Sequence, residues 1–73
     1  MSYPKIRIVG LFDGADNSII SDKDEIGMIL TNIYAPDYAV IYVDKNGLLC
    51  TGTRISTFQG QTVLVGNNEI TIA

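Results

Sequence analysis

The sequence predicts a small α+β domain: a twisted, mainly antiparallel sheet with one helix packed on one face. Three observations lead to this fold class. One stretch has the apolar spacing of an amphipathic helix, several short runs are rich in β-branched residues, and turn-forming dipeptides separate these runs. The predicted element order is β-α-β-β-β-β, with a sheet that is open to curling towards a small barrel.

The first predicted element is a strand over residues 5–12. Gly10 indicates a bulge or a close backbone approach within this strand. Asp13 and Gly14 then end it, so residues 13–18 are expected to form an exposed loop. Alternation gives the strand an apolar face with Ile6, Ile8 and Phe12 and a basic face with Lys5 and Arg7.

One helix is predicted over residues 22–34, ending before Pro36 because the residue ahead of a proline is disfavoured in helical geometry. Gly27 lowers the helix propensity by ~1 kcal/mol relative to alanine, which suggests that another element approaches closely. Two capping-box frames are open at its start: Asp22 with Glu25, and Ser21 with Asp24. The apolar positions with helical spacing are Ile26, Ile29, Leu30 and Ile33.

Strands at residues 38–43 and 48–57 are predicted to form a hairpin. The turn from Asp44 to Gly47 is typical of a three-residue loop that ends in a glycine bulge. This register sets Tyr38 opposite Arg54, whereas a two-residue turn would set Ala39 opposite Arg54 and exchange the two faces. We therefore expect a core face with Ala39, Ile41, Val43, Leu49 and Ile55.

The last predicted hairpin joins residues 62–66 to residues 69–73 through a turn at Asn67 and Asn68. The turn chemistry and the apolar alternation agree here. The expected pairs are Val65 with Ile70 and Val63 with Ile72, and all four side chains are expected to point to one face.

Charge and reactive residues restrict the function more than they identify it. The chain has a net charge of −3, no histidine and one cysteine, Cys50. Its pI of about 4.4 argues against a nucleic-acid binder, which needs a basic footprint. Zinc sites and general acid–base catalysis lack their usual residues. We therefore expect no enzyme, no metal and no cofactor.

The acidic residues between 13 and 25 are open to three interpretations. A calcium loop is disfavoured, because no start within the segment gives the required oxygen ligands and glycine. The start of the predicted helix accounts for Asp22, Asp24 and Glu25. Asp13 and Asp16 have no evident structural duty, so they are candidate residues of an electrostatic docking patch for a basic partner.

A second candidate surface comes from tyrosines near one arginine. Tyr34 lies at the end of the predicted helix, and Tyr38 and Tyr42 share a strand face that Arg54 joins in the preferred register. Tyrosine and arginine are enriched in binding hot spots, so Tyr34, Tyr38, Tyr42 and Arg54 are candidate partner-binding residues. The alternative is that the tyrosines only cover a core and expose their hydroxyl groups.

The expected compartment follows from what the chain lacks. A single unpaired cysteine favours a reducing environment. No apolar run approaches the ~20 residues that a membrane-spanning helix needs. We expect a soluble cytoplasmic protein with no membrane contact.

We expect a single domain over residues 1–73 that acts as a non-catalytic protein-binding module, an inhibitor or modulator of a larger partner. A core of this size supplies only ~3–5 kcal/mol, which favours a homodimer. The size class is common among phage and mobile-element antagonists of host proteins. One alternative is a nucleotide-type ligand binder, with a pocket between subunits that uses Arg54, Lys45 or Lys5; another is a structural assembly component.

Overall fold

A computed structural model of the protein describes residues 5–32 and 38–73. These residues form one sheet, one α-helix and a short 3₁₀ helix, so the α+β class is confirmed. The elements are β1 (Arg7–Asp13), β2 (Ser18–Ile20), α1 (Lys23–Leu30), β3 (Tyr38–Val43), β4 (Leu49–Arg54), the 3₁₀ helix (Ile55–Phe58), β5 (Thr62–Val65) and β6 (Asn68–Thr71).

The sheet has six strands. Five follow the order β4-β3-β1-β5-β6, and the sixth, β2, pairs with the last residues of β1, whereas β5 pairs with its first residues. It is mixed, because β1 and β5 run parallel while every other pair is antiparallel. The strands at the two ends of the order, β4 and β6, do not pair with each other, so the sheet is not closed and the barrel expectation is unsupported. The strand β2, which replaces part of the predicted loop, has only three residues and therefore no readable alternation.

The helix begins where the sequence predicts. Asp22 is the N-cap residue, and its carboxylate accepts a hydrogen bond from the backbone N–H of Asp24 at 2.9 Å. An acceptor at this position satisfies one of the free N–H groups of the first turn. Asp24 and Glu25 then lie in the first turn, where negative charge is favourable.

The helix ends at Leu30, four residues before the predicted end. Thr31 is the C-cap, and its hydroxyl donates to the carbonyl oxygens of Gly27 and Met28, which competes with continuation of the helix. The carbonyl of Leu30 accepts instead from the backbone N–H of Ala73 at 3.0 Å. Three residues of the prediction, Ile33, Tyr34 and Pro36, lie outside the described residues.

One face of the sheet is covered by α1 and by the 3₁₀ helix, and we call it the helix face. Ile26 and Leu30 of α1 are buried against it, as their spacing predicts. The close approach expected at Gly27 is present, because a Cβ there would lie 3.1 Å from Cδ1 of Ile70. The buried core consists of Ile6, Ile8, Leu11, Ile26, Leu30, Val40, Ile55, Phe58, Val63, Val65 and Ile72.

Both neighbours of β3 carry a β-bulge at the level of Ile41. In β1 the register moves from Ile8↔Tyr42 to Gly10↔Ile41, so Val9 is an extra residue. In β4 it moves from Tyr42↔Cys50 to Val40↔Thr53, so two residues oppose Ile41 there as well. A bulge bends and twists its strand and changes which side chains share a face beyond it.

The bulge in β1 confirms the interpretation of Gly10 and overturns the predicted face of that strand. Leu11 is fully buried on the helix face, while Phe12, which the sequence placed there, points to the opposite side. The extra residue Val9 reverses the alternation after Ile8, because each inserted residue exchanges the two faces of a strand.

The bulge in β4 overturns part of the predicted hairpin. The turn itself is confirmed: the N–H of Gly47 donates to the Asp44 carbonyl, and Val43 pairs with Leu49. Beyond the bulge Ala39, not Tyr38, lies opposite Arg54. The core face of β3 is the one with the buried Val40, so the predicted core face with Ala39, Ile41, Val43 and Leu49 is wrong; Ile55 of that set is buried.

The C-terminal hairpin confirms the faces and corrects the register. The turn is formed by Gly66 and Asn67, and Val63 pairs with Ile70 instead of Ile72. The difference from the prediction is two residues, which keeps every side chain on its expected face. Val63, Val65 and Ile72 are accordingly buried, and Ile70 packs against them.

Candidate functional site: the outer face of the sheet

The candidate site is the face of the sheet opposite α1, which we call the outer face. None of the described helices covers it, and none of them is long and apolar enough to cross a membrane. When one face of an antiparallel sheet is exposed to water, the side chains on that face are normally polar. Here the apolar residues on it are Val9, Phe12, Ile19, Ala39, Ile41, Val43, Leu49 and Leu64.

Ile41 is half-buried at the centre of the outer face, at the level of the two bulges. Its Cδ1 lies 3.4 Å from the position that a Cβ of Gly10 would occupy, so the side chain lies across the backbone of the β1 bulge. On the other side, Gly52 in the β4 bulge has φ +87°, a conformation that residues with a Cβ rarely adopt. The β4 bulge thus depends on glycine for its backbone conformation, while at the β1 bulge the Ile41 side chain lies within van der Waals distance of the Gly10 Cβ position.

Two shallow depressions lie towards the two ends of β3, and each contains one arginine. The Arg54 depression has a volume of about 370 Å³ and lies at the Ala39 end of β3, with Phe12, Tyr38 and Gly52 in its lining. The Arg7 depression has a volume of about 220 Å³ and lies at the Val43 end, with Lys5, Asp44 and Leu64 in its lining. Each depression combines apolar side chains with a cation.

The arginines of these depressions have no ion-pair partner among the described residues. The salt bridge found there joins Lys5 to Glu69, which faces Leu64 on the outer face, with a nitrogen–oxygen distance of 2.8 Å. Exposed pairs of this kind contribute only ~0–1 kcal/mol to stability. Arg7 and Arg54 are both exposed, so their charges are free to meet an anionic group.

The structure does not place the tyrosines on the same face as Arg54. Tyr38 and Tyr42 flank the buried Val40 on the helix face, where both are half-buried and pack against the core. The Tyr42 ring meets the Phe58 ring edge-to-face, with centroids 5.0 Å apart. Tyr42 therefore has a structural role, while Tyr38 and Arg54 meet only where both line the Arg54 depression. Tyr34 lies outside the described residues.

Tyr38 lies in an acidic environment on its own face. Partial burial raises the pKa of its hydroxyl above the usual 10.0, and the nearby carboxylates of Asp13 and Asp16 raise it further. Asp13 is opposite Tyr38 in the sheet, and a hydrogen bond between their side chains also favours the protonated phenol. The carboxylates of Asp13, Asp16 and Glu25 are thus close enough to Tyr38 to act on its hydroxyl.

Asp13 and Asp16 have structural duties that their sequence positions did not reveal. The Asp13 carboxylate accepts from the N–H of Ala15 at 2.9 Å, and Asp16 accepts from both the N–H and the hydroxyl of Ser18. The hydroxyl bond to Ser18 is the main cause of a lowered pKa at Asp16. Its stabilising contribution is present above the unfolded value of 3.8 and is lost as the pH falls through the lower folded value. Both acids hold the turn between β1 and β2.

The remaining reactive groups form no evident chemical site. Cys50 is half-buried, and its Sγ lies 3.6 Å from the Leu48 carbonyl oxygen and 3.9 Å from Oδ2 of Asp44. Within residues 5–32 and 38–73, no three cysteine, aspartate or glutamate side chains come together as a metal site would require. The site is therefore a surface, with apolar groups at its centre and cations at its rim.

Several residues of this surface escaped prediction from the sequence. Phe12 and Ile41 were assigned to the core because alternation marks them as apolar without saying which face is covered. Arg7 was correctly placed on the exposed side of its strand, and its position near Val43 follows only from the pairing of β1 with β3. Comparisons of the chain with protein-family models, with curated proteins and with solved structures found no match.

Proposed function

We propose that this protein is a non-catalytic protein-binding module, an inhibitor or modulator of a larger partner, that docks through the outer face. The apolar row Ala39, Ile41 and Val43 carries the proposal, because its half-buried side chains lie on the uncovered face of the sheet between two exposed arginines, next to the exposed Val9 and Leu49. Large exposed apolar patches rimmed by polar groups are typical of protein interaction sites. The buried core does not include this row, since the helices pack against Val40 and its neighbours on the opposite face of the sheet.

The arrangement also agrees with the anatomy of known interfaces. Their buried centres are apolar and poor in charge, while arginine is enriched relative to other charged residues. Leu49 and Ile19 extend the apolar row, and each exposes 65% of its surface. Binding of a partner would remove this apolar area from water, at about 25 cal/mol per Å².

Photo-crosslinking from two matched positions tests the proposal. A diazirine-bearing residue replaces Leu49 on the outer face in one sample and Met28 on the helix in the other, in cells of the source organism. These residues are equally exposed, at 65% and 67%, so reactivity with passing proteins should be similar. We expect a discrete adduct from Leu49 and none from Met28.

The variant Ile41→Asp provides the control, since it places a charge at the centre of the row. It should abolish the Leu49 adduct while a denaturant curve confirms that the protein still folds. Equal adducts from both positions, or a Leu49 adduct that survives Ile41→Asp, would count against the outer face as the docking surface.

Self-association stays a prediction. A pairing of two outer faces would bring Arg7 and Arg54 of one copy towards the same cations of the other, and like charges across an interface are unfavourable. A homodimer would therefore form more readily through the edge strands β4 or β6 than through this face. Sedimentation equilibrium at micromolar concentration distinguishes a dimer from a monomer.

One observation favours a second candidate function, the binding of an anionic aromatic ligand such as a nucleotide. The Arg54 depression has Arg54, which has no ion-pair partner among the described residues, and the aromatic residues Phe12 and Tyr38 in its lining. A ligand that binds only the folded state raises the melting temperature by mass action. A nucleotide panel that leaves the melting temperature of the wild type unchanged would remove this candidate, and a rise lost in Arg54→Gln would support it.

A further inference from the structure

We propose that the outer face binds an amphipathic helix with acidic ends, contributed by the partner protein. This inference rests on the proposed function and adds the chemistry and the conformation of the partner. Three features carry it: the free arginines, the geometry of the two depressions, and the lack of free backbone groups in the middle of the sheet.

The arginines define the charge of the partner. Arg7 and Arg54 are exposed at opposite ends of the apolar row without an ion-pair partner among the described residues. The acids nearest to them have other partners among the described residues: Glu69 pairs with Lys5, and the Asp44 carboxylate accepts from the N–H groups of Asn46 and Leu48. In the β1–β2 turn, which lines the Arg54 depression, Asp13 and Asp16 accept from Ala15 and Ser18. Carboxylates on a partner would complement both cations, which favours association and orientation.

The sheet geometry defines the length of the partner segment. Val43 opposite Arg7 and Ala39 opposite Arg54 are four residues apart on β3, which corresponds to about 13 Å along the strand. The arginines are on the two different neighbours of β3, about 10 Å apart across the sheet, so their diagonal separation is roughly 16 Å. Three helical turns span the same distance, at ~5.4 Å per turn.

Backbone hydrogen bonding favours a helix over an extended segment. β3 and β1 are interior strands with partners on both sides, so they offer no free strand edge, and their ladders are interrupted only at the two bulges. An extended segment lying on this face would bury its own backbone groups without partners, which is unfavourable. A helix satisfies its backbone internally and presents one apolar stripe, so it can pack on both sides of Ile41.

These constraints give a readable pattern. Acidic residues at positions i and i+11 of the helix would face Arg7 and Arg54, because eleven residues rise about 16 Å. Apolar residues at i+4 and i+7 would pack on the apolar row around Ile41, between the two arginines. The pattern makes the partner recognisable from its sequence by its chemistry alone.

Selection from a displayed library tests the inference. The library is a monomeric helical scaffold whose face positions are randomised, selected against the full chain and counter-selected against Ile41→Asp. We expect enrichment of aspartate and glutamate at the two ends of the randomised face and of apolar residues between them. The double variant Arg7→Glu with Arg54→Glu should weaken the selected binders by roughly fivefold or more, and lysine at the acidic positions should restore binding.

The outcomes separate the two proposals. Binders that depend on Ile41 but lack acidic ends, or tolerate reversal of both arginines, overturn the acidic helix and leave the docking face standing. Binders from a parallel random-peptide selection that depend on Ile41 and stay extended by circular dichroism also overturn it. Failure of both libraries to yield any Ile41-dependent binder overturns the proposed function itself. A dimer that Ile41→Asp dissociates shows that a second copy occupies the face and overturns the inference.

Discussion

Val40 and Ile41 are neighbours on β3, yet their surroundings are opposite. Val40 exposes none of its surface and lies in the core beneath the helices, whereas Ile41 lies on the outer face between two bulges. Both are β-branched and apolar, so nothing in their own chemistry tells them apart. Their neighbours differ: Val40 pairs with the buried Leu11, whereas Ile41 pairs with Gly10 beyond the β1 bulge. Which side chains lie on each face therefore depends on the strand register, and substitutions on the two faces test the assignment.

The largest expected effect distinguishes Leu11 from Phe12, which are adjacent on β1 and point to opposite faces. Leu11 is fully buried, so Leu11→Ala should lower the free energy of unfolding by ~2–5 kcal/mol. Phe12→Ala should lower it much less, because that ring is partly in water. Urea unfolding measures both, and equal losses would contradict the observed faces.

A smaller effect is expected at the β4 bulge. Gly52 has φ +87° and open space around its Cα, so Gly52→Ala should destabilise through the backbone alone, by roughly 1–2 kcal/mol. Gly52→Asn should lose less, because asparagine tolerates this region better than alanine. Denaturant curves of the two variants test the point. If Gly52→Ala lost no more unfolding free energy than Gly52→Asn, the positive φ of Gly52 would not be a source of strain in the β4 bulge.

The acidic surroundings of Tyr38 on the helix face should appear in the titration of its hydroxyl. Its folded pKa is raised above 10.0, so the associated stabilisation is present below that pH and is lost as the pH rises through the folded value. Asp13→Asn should lower this pKa, because it removes a nearby negative charge. Carbon NMR of the labelled tyrosine ring follows the titration. A Tyr38 pKa at or below 10.0 would contradict an acidic, partly buried site.

The smallest effects on stability are expected at Leu49 and Met28, on the outer face and on the helix. Leu49→Gln and Met28→Gln should each change the free energy of unfolding by no more than ~0.5 kcal/mol, because both side chains are largely exposed. Only Leu49→Gln should weaken the binding of a helix that was selected against the outer face. Isothermal calorimetry with both variants would show whether the surfaces differ in function as well as in position.

Local features of this fold were predictable from the sequence. Asp22 begins the helix, and the turn from Asp44 to Gly47 has the expected bonds, because each depends on side chains close in sequence. The β5–β6 hairpin kept its faces even though its register moved by two residues. Short-range chemistry determines such elements almost alone.

The faces of β1, β3 and β4 were not predictable in the same way. Gly10 indicated a bulge, but a glycine does not say that the alternation reverses after it. Gly52 gave no clear signal, since its bulge depends on how β4 meets Ile41. Because β3 is apolar on both sides, its own pattern could not correct the error. The apolar part of the candidate site was missed for the same reason, since alternation assigned Ala39, Ile41, Val43 and Leu49 to the core, whereas Arg54 was predicted as a binding residue.

The parallel pairing of β1 with β5 has a consequence for the order of folding. Arg7 meets Leu64 and Ile8 meets Val65, so a central contact joins distant parts of the chain. Closing a loop of this length carries an entropic penalty of about 3–4 kcal/mol beyond a constant. Until β5 arrives, the first half of β1 has an unpaired edge that can capture another chain. Refolding should therefore be slow for a domain of this size and should lose yield as the protein concentration rises.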